Sequence, residues 1–402
     1  MSDPAGGGSP RPFTVFLLAG EESGDQLGAG LMRALAERLG GKVHFLGVGG
    51  SRMAALGLRS LFPMHEIGLH GVAAVVTQIP NLIRRQRETA RAVLAARPDV
   101  LVTIDVPDFS LTVAKKVRAA DPSITTLHYV LPSVWAYRPG RAAKMAAFID
   151  RVLAVLPFEP EVSASLGGPP CTYVGHSLTE RIAELRPAPG ERPALQAGRP
   201  PVLVVLPGSR RSEIRRLLKP FGETLRRVVE TAGPLEVVLP AVSHLAGEIR
   251  AGVADWPVTP TIVEGEAAKF AAFRRADAAL AASGTVTLEL ALAGIPMVVA
   301  YRIDPLFQWI RLVFRAKTIV LANLVIGENV VPEFVDWQST PERLSAALKP
   351  LLSDTAERRR QTEAFARLDA LMEIGGTTPS ARAAETVIET VARSLSLQAD
   401  SA

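Results

Sequence analysis

The sequence has very little cysteine, few aromatic residues and no long uncharged apolar run. Its single cysteine, Cys171, excludes an internal disulfide framework and any metal site built from several cysteines, and it predicts a reducing compartment. Aromatic residues make up 5% of the chain and do not alternate with basic residues, which argues against nucleic-acid binding. No uncharged apolar stretch reaches ~18 residues, so we expect no transmembrane helix.

Several common binding motifs are also missing. No two aspartates are separated by a single residue, which removes the usual carboxylate pair for a metal-bound nucleotide sugar. A helix dipole and an arginine would replace such a metal site. The GxxxxGK[ST] pattern of an ATPase P-loop does not occur, and Gly47–Gly50 matches the dinucleotide-binding GxGxxG spacing only weakly. Residues 1–12 predict a flexible leader without a signal peptide, hence a cytoplasmic protein that can still touch a membrane.

What is present is enough apolar material for buried cores. Of the 402 residues, 48% are hydrophobic and 21% are charged. A chain of this length favours two domains. The net charge of +5 suits anionic ligands such as phosphates or an acidic membrane surface. Short apolar runs bounded by Gly or Pro alternate with amphipathic segments, which predicts α/β domains with parallel sheets and helices on both faces.

The predicted strands are short apolar runs, each followed by a loop and a helical pattern. They are Thr14–Ala19, Lys42–Gly47, Val100–Ile104, Thr125–Val130, Val152–Val155, Thr172–Val174, Val202–Leu206, Leu235–Leu239, Thr261–Glu264, Asp277–Ala282 and Met297–Tyr301. We predict an N-terminal α/β domain at 13–185, a linker at the Pro- and Arg-rich residues 186–201, a C-terminal α/β domain at 202–350 and a helical tail at 351–402. Ligand-binding loops at the carboxyl ends of the strands would face a central cleft.

The stretch LAASGTVTLELALAGIPMVV, residues 280–299, has an unusual corner. Ser283-Gly284-Thr285 ends an apolar strand and begins a helix, where free backbone N–H groups and the helix dipole favour an anion. An ordinary helix cap is the alternative. Glu289 lies one turn deeper, four residues after Thr285, and Val286 excludes a capping box. Its carboxylate could accept hydrogen bonds from ribose hydroxyls, or it could be a surface acid.

A second anion-site candidate is Gly208-Ser209-Arg210, between an apolar strand and a helix. The turn offers free amides, and the arginine offers a fork of donors for phosphate. Arg211, Arg215 and Arg216 fit a solvated basic face.

In the first half, Asp105 falls where an apolar strand ends, a position suited to a general base for a hydroxyl. Asp108 could cap the next helix. The loop AGEESGDQLGAG at residues 19–30 leads into another helix, and Gly28 and Gly30 would allow a backbone or ligand to approach it closely. The lone histidines His128 and His176 are more often structural than catalytic.

Two segments look suited to a lipid surface. Residues 68–94 couple an apolar run to Arg84, Arg85, Arg87 and Arg91. Residues 307–326 interleave large apolar residues with Arg311, Arg315 and Lys317. Amphipathic basic helices can lie in a bilayer interface, whereas buried helices with snorkelling cations would show the same pattern.

In their order, these motifs resemble the lipid-A-disaccharide synthase family of inverting glycosyltransferases with the two-domain GT-B fold. The matching segments, between Phe13 and Val335, are AGEESGDQLGAGL, FLGVGGSRMAALG, TIDVPDF, HYVLPSVWAYRPGRAAKM, VLPFE, YVGHSL, LPGSRRSEI, ASGTVTLELALAGIPMVVAYR and NLVIGENVVPEFV.

The resemblance implies transfer of 2,3-diacylglucosamine from its UDP donor to 2,3-diacylglucosamine 1-phosphate (lipid X), forming a β-1,6 disaccharide 1-phosphate and UDP without a cofactor or metal. Asp105 matches the family's catalytic aspartate, and Arg210 and Asn323 match residues implicated in handling UDP. By analogy with the fold, Glu289 would hold ribose and Ser283 to Thr285 the diphosphate, beside Gly208 and Ser209. On the acceptor side the candidates are Glu21, Ser23 and Asp25.

The resemblance also implies a homodimer with exchanged C-terminal segments, peripheral at the cytoplasmic face of the inner membrane. Departures from the family pattern at Glu22, His70, Ala74, Leu131 and Ala322 concern acceptor or acyl-chain selectivity. The alternatives are another GT-B enzyme, such as a UDP-sugar 2-epimerase or a muramyl-lipid transferase, and a non-catalytic sugar-binding protein.

Overall fold

The computed structural model describes residues 11–68, 72–195, 199–303, 316–373 and 376–401. They form two compact units, each with one parallel sheet. Unit 1 comprises residues 1–177 and 374–402, and unit 2 comprises residues 178–373. The sequence-predicted residues His70, Phe307, Arg311 and Arg315 lie outside the described residues.

The strands of unit 1 form a six-stranded parallel sheet in the order β2-β1-β3-β4-β5-β6. Strand β1 pairs with β2 on one side and β3 on the other, so the chain reverses its direction of winding at β1. The central strands are buried on both faces because helices cover the sheet on each side, which explains their continuous apolar sequences. Their bounds are β1 Phe13–Ala19, β2 Val43–Val48, β3 Val100–Ile104, β4 Thr125–Tyr129, β5 Arg151–Ala154 and β6 Cys171–Tyr173.

Unit 2 repeats this design with the order β12-β11-β10-β7-β8-β9. Strands β7 and β10 are neighbours at its centre, so the loops that follow them lie side by side. The bounds are β7 Val202–Leu206, β8 Glu236–Ala241, β9 Thr261–Glu264, β10 Ala278–Ala282, β11 Met297–Tyr301 and β12 Glu333–Val335. The two sheets confirm the predicted doubly wound α/β class. The sequence analysis missed the three-residue strand β12.

The helices that connect and cover the strands are numbered here in chain order. In unit 1 they are α1 Glu22–Arg38, α2 Ser51–Ala54, α3 Val72–Ala96, α4 Pro107–Ala120, α5 Gly140–Met145, α6 Glu159–Ser165 and, at the C-terminus, α16 Pro379–Ser401. In unit 2 they are α7 Ile182–Leu185, α8 Arg211–Ala232, α9 Ala246–Gly252, α10 Glu266–Arg275, α11 Val286–Leu292, α12 Leu321–Ile326, α13 Pro341–Leu348, α14 Ala356–Ala366 and α15 Leu368–Leu371. None of these described helices is long and apolar enough to cross a bilayer.

The C-terminal helix α16 packs on α1 in unit 1. Two glycines on α1 permit close contacts with neighbouring helices. A Cβ atom at Gly28 would lie 2.6 Å from Met53 Sδ, and one at Gly30 would lie 2.5 Å from Ser380 Oγ. The close neighbours of Gly28 and Gly30 are therefore protein side chains of the same unit.

The described residues 186–195 and 199–201 of the Arg-rich stretch that the sequence predicts as a linker lie within unit 2. Arg192 donates to the carbonyl oxygens of Phe273 (2.8 Å), Arg274 (3.2 Å), Ala293 (3.0 Å) and Gly294 (3.3 Å). These carbonyls end helices α10 and α11, where unpaired acceptors and the negative end of the helix dipole favour a cation. One guanidinium thus fastens this stretch to the ends of two helices.

Candidate functional site

The first group of candidate residues lies where β3 ends in unit 1. Asp105 and Val106 both have left-handed backbone angles, with φ of +53° and +45°. Such angles cost about 1–3 kcal/mol each in residues other than glycine. The Asp105 amide donates to the Tyr129 carbonyl (3.0 Å), and the Ser110 hydroxyl donates to the Val106 carbonyl (2.7 Å). These bonds hold a strained turn at the carboxyl edge of the sheet, where parallel sheets bind ligands.

The Asp105 carboxyl group is half-buried, and its Oδ1 accepts a 2.8 Å hydrogen bond from the Val106 amide. Burial raises the pKa of Asp105 and the nearby Glu21 carboxylate raises it further, while the Val106 hydrogen bond lowers it. A carboxylate whose pKa is raised is a stronger base than an ordinary one. The loop after β1 therefore brings the predicted acceptor-side residue Glu21 next to Asp105.

The other two acceptor-side candidates have different surroundings. Ser23 is exposed on the first turn of α1. Asp25 is 3% exposed, and its carboxylate accepts hydrogen bonds from the amides of Gly50 (2.8 Å), Arg52 (2.9 Å) and Met53 (3.1 Å). Because three backbone donors occupy this carboxylate, Asp25 fixes the loop that leads into α2. That role differs from the predicted contact with an acceptor.

The histidine on β4 is part of the core. His128 is fully buried, and its Nδ1 lies 2.8 Å from Thr103 Oγ1. The Thr103 hydroxyl donates to the Leu127 carbonyl (3.0 Å), which assigns the ring proton to Nδ1. Burial lowers the pKa of His128 to about 3, with a further contribution from Arg141. His128 is therefore neutral at physiological pH, as expected for a structural histidine.

A second buried acid lies after β5, in the VLPFE segment. Glu159 is 2% exposed, and its Oε2 accepts hydrogen bonds from the amides of Val155 and Leu156, each 3.0 Å long. Burial raises the pKa of Glu159 to about 7, against the lowering effect of these bonds. The side chain closes the turn between β5 and α6.

In unit 2, two backbone amides of the loop after β7 are already bonded, and one of them is the Ser209 amide that the sequence predicted to be free. Glu213 Oε2 accepts from the amides of Ser209 (3.2 Å) and Arg210 (3.3 Å), and Oε1 accepts from Arg210 Nη1 (3.0 Å). Glu213 is 8% exposed, whereas the Arg210 side chain is 56% exposed. A carboxylate of the protein thus already occupies the Ser209 and Arg210 amides, while much of the arginine side chain faces solvent.

The same carboxylate explains the glycine in this loop. Gly208 has φ +113°, and an added Cβ atom would lie 2.6 Å from Glu213 Oε2 and 2.7 Å from Glu213 Cβ. Only glycine combines this backbone angle with so close a side chain.

The Ser-Gly-Thr corner lies beside this loop because β10 neighbours β7. Gly284 and Thr285 are exposed, and Gly284 has φ +148° with no atom within 4 Å of an added Cβ. Ser283 Oγ donates to the Ile319 carbonyl (2.7 Å). The Thr285 side chain makes no capping bond, so the corner is not an ordinary side-chain cap. Its backbone is open to a ligand.

Glu289 is not a surface acid, because it is 9% exposed. Its Oε2 forms a 2.7 Å ion pair with Lys269 Nζ on α10, and the ammonium also lies 4.9 Å from the centre of the Phe270 ring. The carboxylate is therefore held in one position by a partly buried cation. Its free oxygen positions can accept hydroxyl hydrogen bonds.

Asn323, on α12, is 2% exposed and its amide is fully used by the protein. Its Oδ1 accepts from the amides of Val330 (3.1 Å) and Val331 (2.9 Å). Its Nδ2 donates to the Val331 carbonyl (3.0 Å) and to Thr318 Oγ1 (3.3 Å). The Asn323 amide therefore binds the protein segments around it, whereas the family resemblance implied a role in handling UDP.

Sequence reasoning missed Glu213 and Lys269. Glu213 had a local signal, since an acid three residues after the N-cap residue, here Arg210, is the spacing of a capping pair. Lys269 had no local signal, because 20 residues separate it from Glu289 and only the fold brings them together.

Among the described residues, no three His, Cys, Asp or Glu side chains cluster in a group that could hold a metal ion.

Comparisons with known proteins agree on one family. The family model described as lipid-A-disaccharide synthetase matches residues 15–387. A lipid-A-disaccharide synthase from Rhodopseudomonas palustris (strain HaA2) is 56% identical over 375 residues, covering 93% of this chain and 95% of the relative.

Solved structures show the same fold at low sequence identity. The UDP complex of MnaA from S. aureus has a TM-score of 0.62 at 12% identity, covering 96% of this chain and 97% of that one. The calicheamicin glycosyltransferase CalG4 has a TM-score of 0.59 at 16% identity, covering 95% and 99%.

Proposed function

This chain belongs to the lipid-A-disaccharide synthetase family and is a glycosyltransferase with the GT-B fold, and on that basis we propose how its residues carry out the family's reaction. A 2,3-diacylglucosamine unit leaves UDP and joins the 6-hydroxyl of 2,3-diacylglucosamine 1-phosphate. In the proposed mechanism the hydroxyl attacks the anomeric carbon directly and inverts it. Such a step needs a base for the hydroxyl proton and stabilisation of the departing UDP.

Asp105 is the base. The observation that carries this assignment is a carboxyl group held at the end of β3 by a strained turn, with its pKa raised by burial and by Glu21. Strained backbone and raised acid pKa values cluster at active sites. As the C–O bond to UDP breaks, Asp105 takes the proton of the attacking hydroxyl.

Unit 2 holds the donor. Arg210, largely exposed beside the open Ser-Gly-Thr corner, supplies donors to the diphosphate as negative charge grows on the leaving oxygen. Glu289 accepts hydrogen bonds from the ribose hydroxyls, with Lys269 fixing the carboxylate. Gly208 and Ser209 shape the loop that carries Arg210, and Asn323 supports the donor site from within the fold.

The test is UDP release and product mass from the two purified diacyl sugars. We expect the β-1,6 disaccharide 1-phosphate from the wild-type enzyme. Asp105→Asn should keep the fold and UDP affinity and lower kcat by about 10²–10⁴-fold, the usual contribution of a general base. Asp121→Asn, before β4 at the opposite edge of the sheet, is the matched control. Near-wild-type turnover in Asp105→Asn would exclude this residue as the base.

The alternative GT-B activities predict turnover of UDP-N-acetylglucosamine without acyl chains. We expect no useful turnover of UDP-N-acetylglucosamine by this enzyme. A non-catalytic sugar-binding protein would release no UDP from the purified diacyl substrates, so the same assay separates all three possibilities.

The acyl chains require the enzyme to reach a lipid surface, and we assign that contact to one face of α3. Ile79 and Ile83 are 44% and 40% exposed, and Arg84, Arg87 and Arg91 are exposed on the same side at helical spacing. Arg85 points elsewhere, because it pairs with Glu66 at 2.7 Å and is 13% exposed. Sedimentation with anionic vesicles, before and after replacing both isoleucines by serine, tests this peripheral association with the inner membrane.

We also propose that the enzyme is a homodimer. Analytical ultracentrifugation tests this oligomeric state.

A further inference from the structure

A pair of arginines lies at the same edge of unit 1 as Asp105. Arg141, on α5, forms an ion pair with Asp108, the second residue of α4. Arg138 Nη1 lies 3.7 Å from the same carboxylate oxygen and its guanidinium stacks 4.8 Å from the centre of the Tyr137 ring. Asp108 lies in the segment that follows β3, and Arg138 and Arg141 lie in the segment that follows β4, which is the neighbouring strand.

This cluster carries an excess of positive charge and is accessible to solvent. Two guanidinium groups share one carboxylate, and the Asp108 side chain is 79% exposed and the Arg138 side chain 52%. The Arg141 side chain is 21% exposed, with the neutral His128 near it in the core. The positive end of α4, a helix of 14 residues, adds to the excess of positive charge. A dianion fits such a site better than a single carboxylate does.

We propose that Arg138 and Arg141 form the subsite for a sugar phosphate monoester, the 1-phosphate of the acceptor. This inference rests on the proposed function and adds to it the part of the enzyme that recognises the acceptor's charge. Arginine forks bind phosphate oxygens in pairs, and Asp108 holds the guanidinium groups in place until the phosphate arrives.

The spacing along the chain agrees with the chemistry. Asp108 follows Asp105 by three residues, so their Cα atoms lie at most about 11 Å apart. In the acceptor, the phosphate is on C1 and the 6-hydroxyl is on the carbon attached to C5, and C1 and C5 are both bonded to the ring oxygen. A base at Asp105 and a phosphate site at Arg138 and Arg141 would therefore contact two groups of one sugar, which orients the 6-hydroxyl for attack.

The experiment compares two acceptors in detergent micelles without phospholipid: 2,3-diacylglucosamine 1-phosphate and its neutral 1-O-methyl analogue. For Arg138→Gln and Arg141→Gln we expect acceptor KM for the phosphate substrate to rise about tenfold or more, with donor KM unchanged. The neutral analogue should be used equally by these variants and by the wild type. Arg138→Lys should recover part of the lost affinity because it keeps the charge.

Arg33→Gln is the matched control, since Arg33 is exposed on α1 eleven residues beyond the start of that helix. If the arginine variants lose the same factor with both acceptors, or lose only binding to phospholipid vesicles, the proposed subsite is wrong. A failure of the proposed function looks different, because the wild-type enzyme would then release no UDP with the phosphate acceptor.

Discussion

Replacing Asn323 by alanine tests whether this residue acts on UDP directly or through the fold. The substitution leaves the buried Val331 amide and the Val331 carbonyl without their partner, whereas the Val330 amide keeps its 3.0 Å hydrogen bond to the Glu328 carbonyl. Each buried polar group left unpaired costs about 1–3 kcal/mol. We therefore expect the free energy of unfolding to fall by at least about 2 kcal/mol, and Tm by about 4–8 °C for a unit of roughly 200 residues.

Calorimetry of unfolding and isothermal titration with UDP measure the two effects separately. Arg210→Ala is the contrasting variant, because the Arg210 side chain is 56% exposed and forms its ion pair with Glu213, three residues away. It should weaken UDP binding with little change in Tm. If Asn323→Ala has the Tm of the wild type but no longer binds UDP, then Asn323 contacts the nucleotide, and its four hydrogen bonds are not its main contribution.

Three further predictions concern acids near the two strand edges. Glu21→Gln removes a carboxylate that raises the pKa of Asp105, so the acidic limb of the kcat/KM profile should move to lower pH; a limb that stays or moves upward contradicts the assignment. Burial raises the pKa of Glu159 from its usual 4.5 to about 7, so its contribution to stability is present below pH 4.5 and is lost as pH rises through about 7. At pH 8 the free energy of unfolding of Glu159→Gln should therefore exceed that of the wild type by up to about 3 kcal/mol, whereas at pH 4 the two proteins should be equally stable. Denaturant unfolding of both proteins at both pH values tests this prediction. Gly208→Ala should destabilise the protein by about 2–4 kcal/mol and weaken UDP binding, because its Cβ would collide with Glu213 at a φ of +113°.

The control for the glycine prediction is Gly247→Ala. Gly247 lies in α9, and an added Cβ there has no atom within 4 Å. This variant should be neutral or slightly more stable than the wild type, since alanine favours helix. Equal losses in the two alanine variants would mean that the contact with Glu213 does not matter.

The sequence was informative where one short segment determines its own structure. The apolar run from Val100 to Ile104 predicted a buried strand, and Asp105 was expected at its end because polar residues after parallel strands gather at one edge. The corner at Gly284 was predicted in the same way.

Contacts between distant segments could not be read from spacing. Glu289 is buried only because Lys269 reaches it from another helix. Asp25 looked like a ligand residue, but its carboxylate binds amides near residue 50. The free amides of the loop at Ser209 were a wrong expectation because an acid one helical turn later competes for them. Each of these outcomes depends on tertiary packing, which local pattern does not record.

The four carbonyls bound by Arg192 give helices α10 and α11 a second connection besides the ion pair between Lys269 and Glu289. The helix that carries Lys269 and the helix that carries Glu289 are tethered at their C-terminal ends. Loosening that tether would let the two helices shift against each other and lengthen the ion pair between them. If Glu289 binds the nucleotide as proposed, substitution of Arg192 would thus lower nucleotide affinity from the far ends of these two helices.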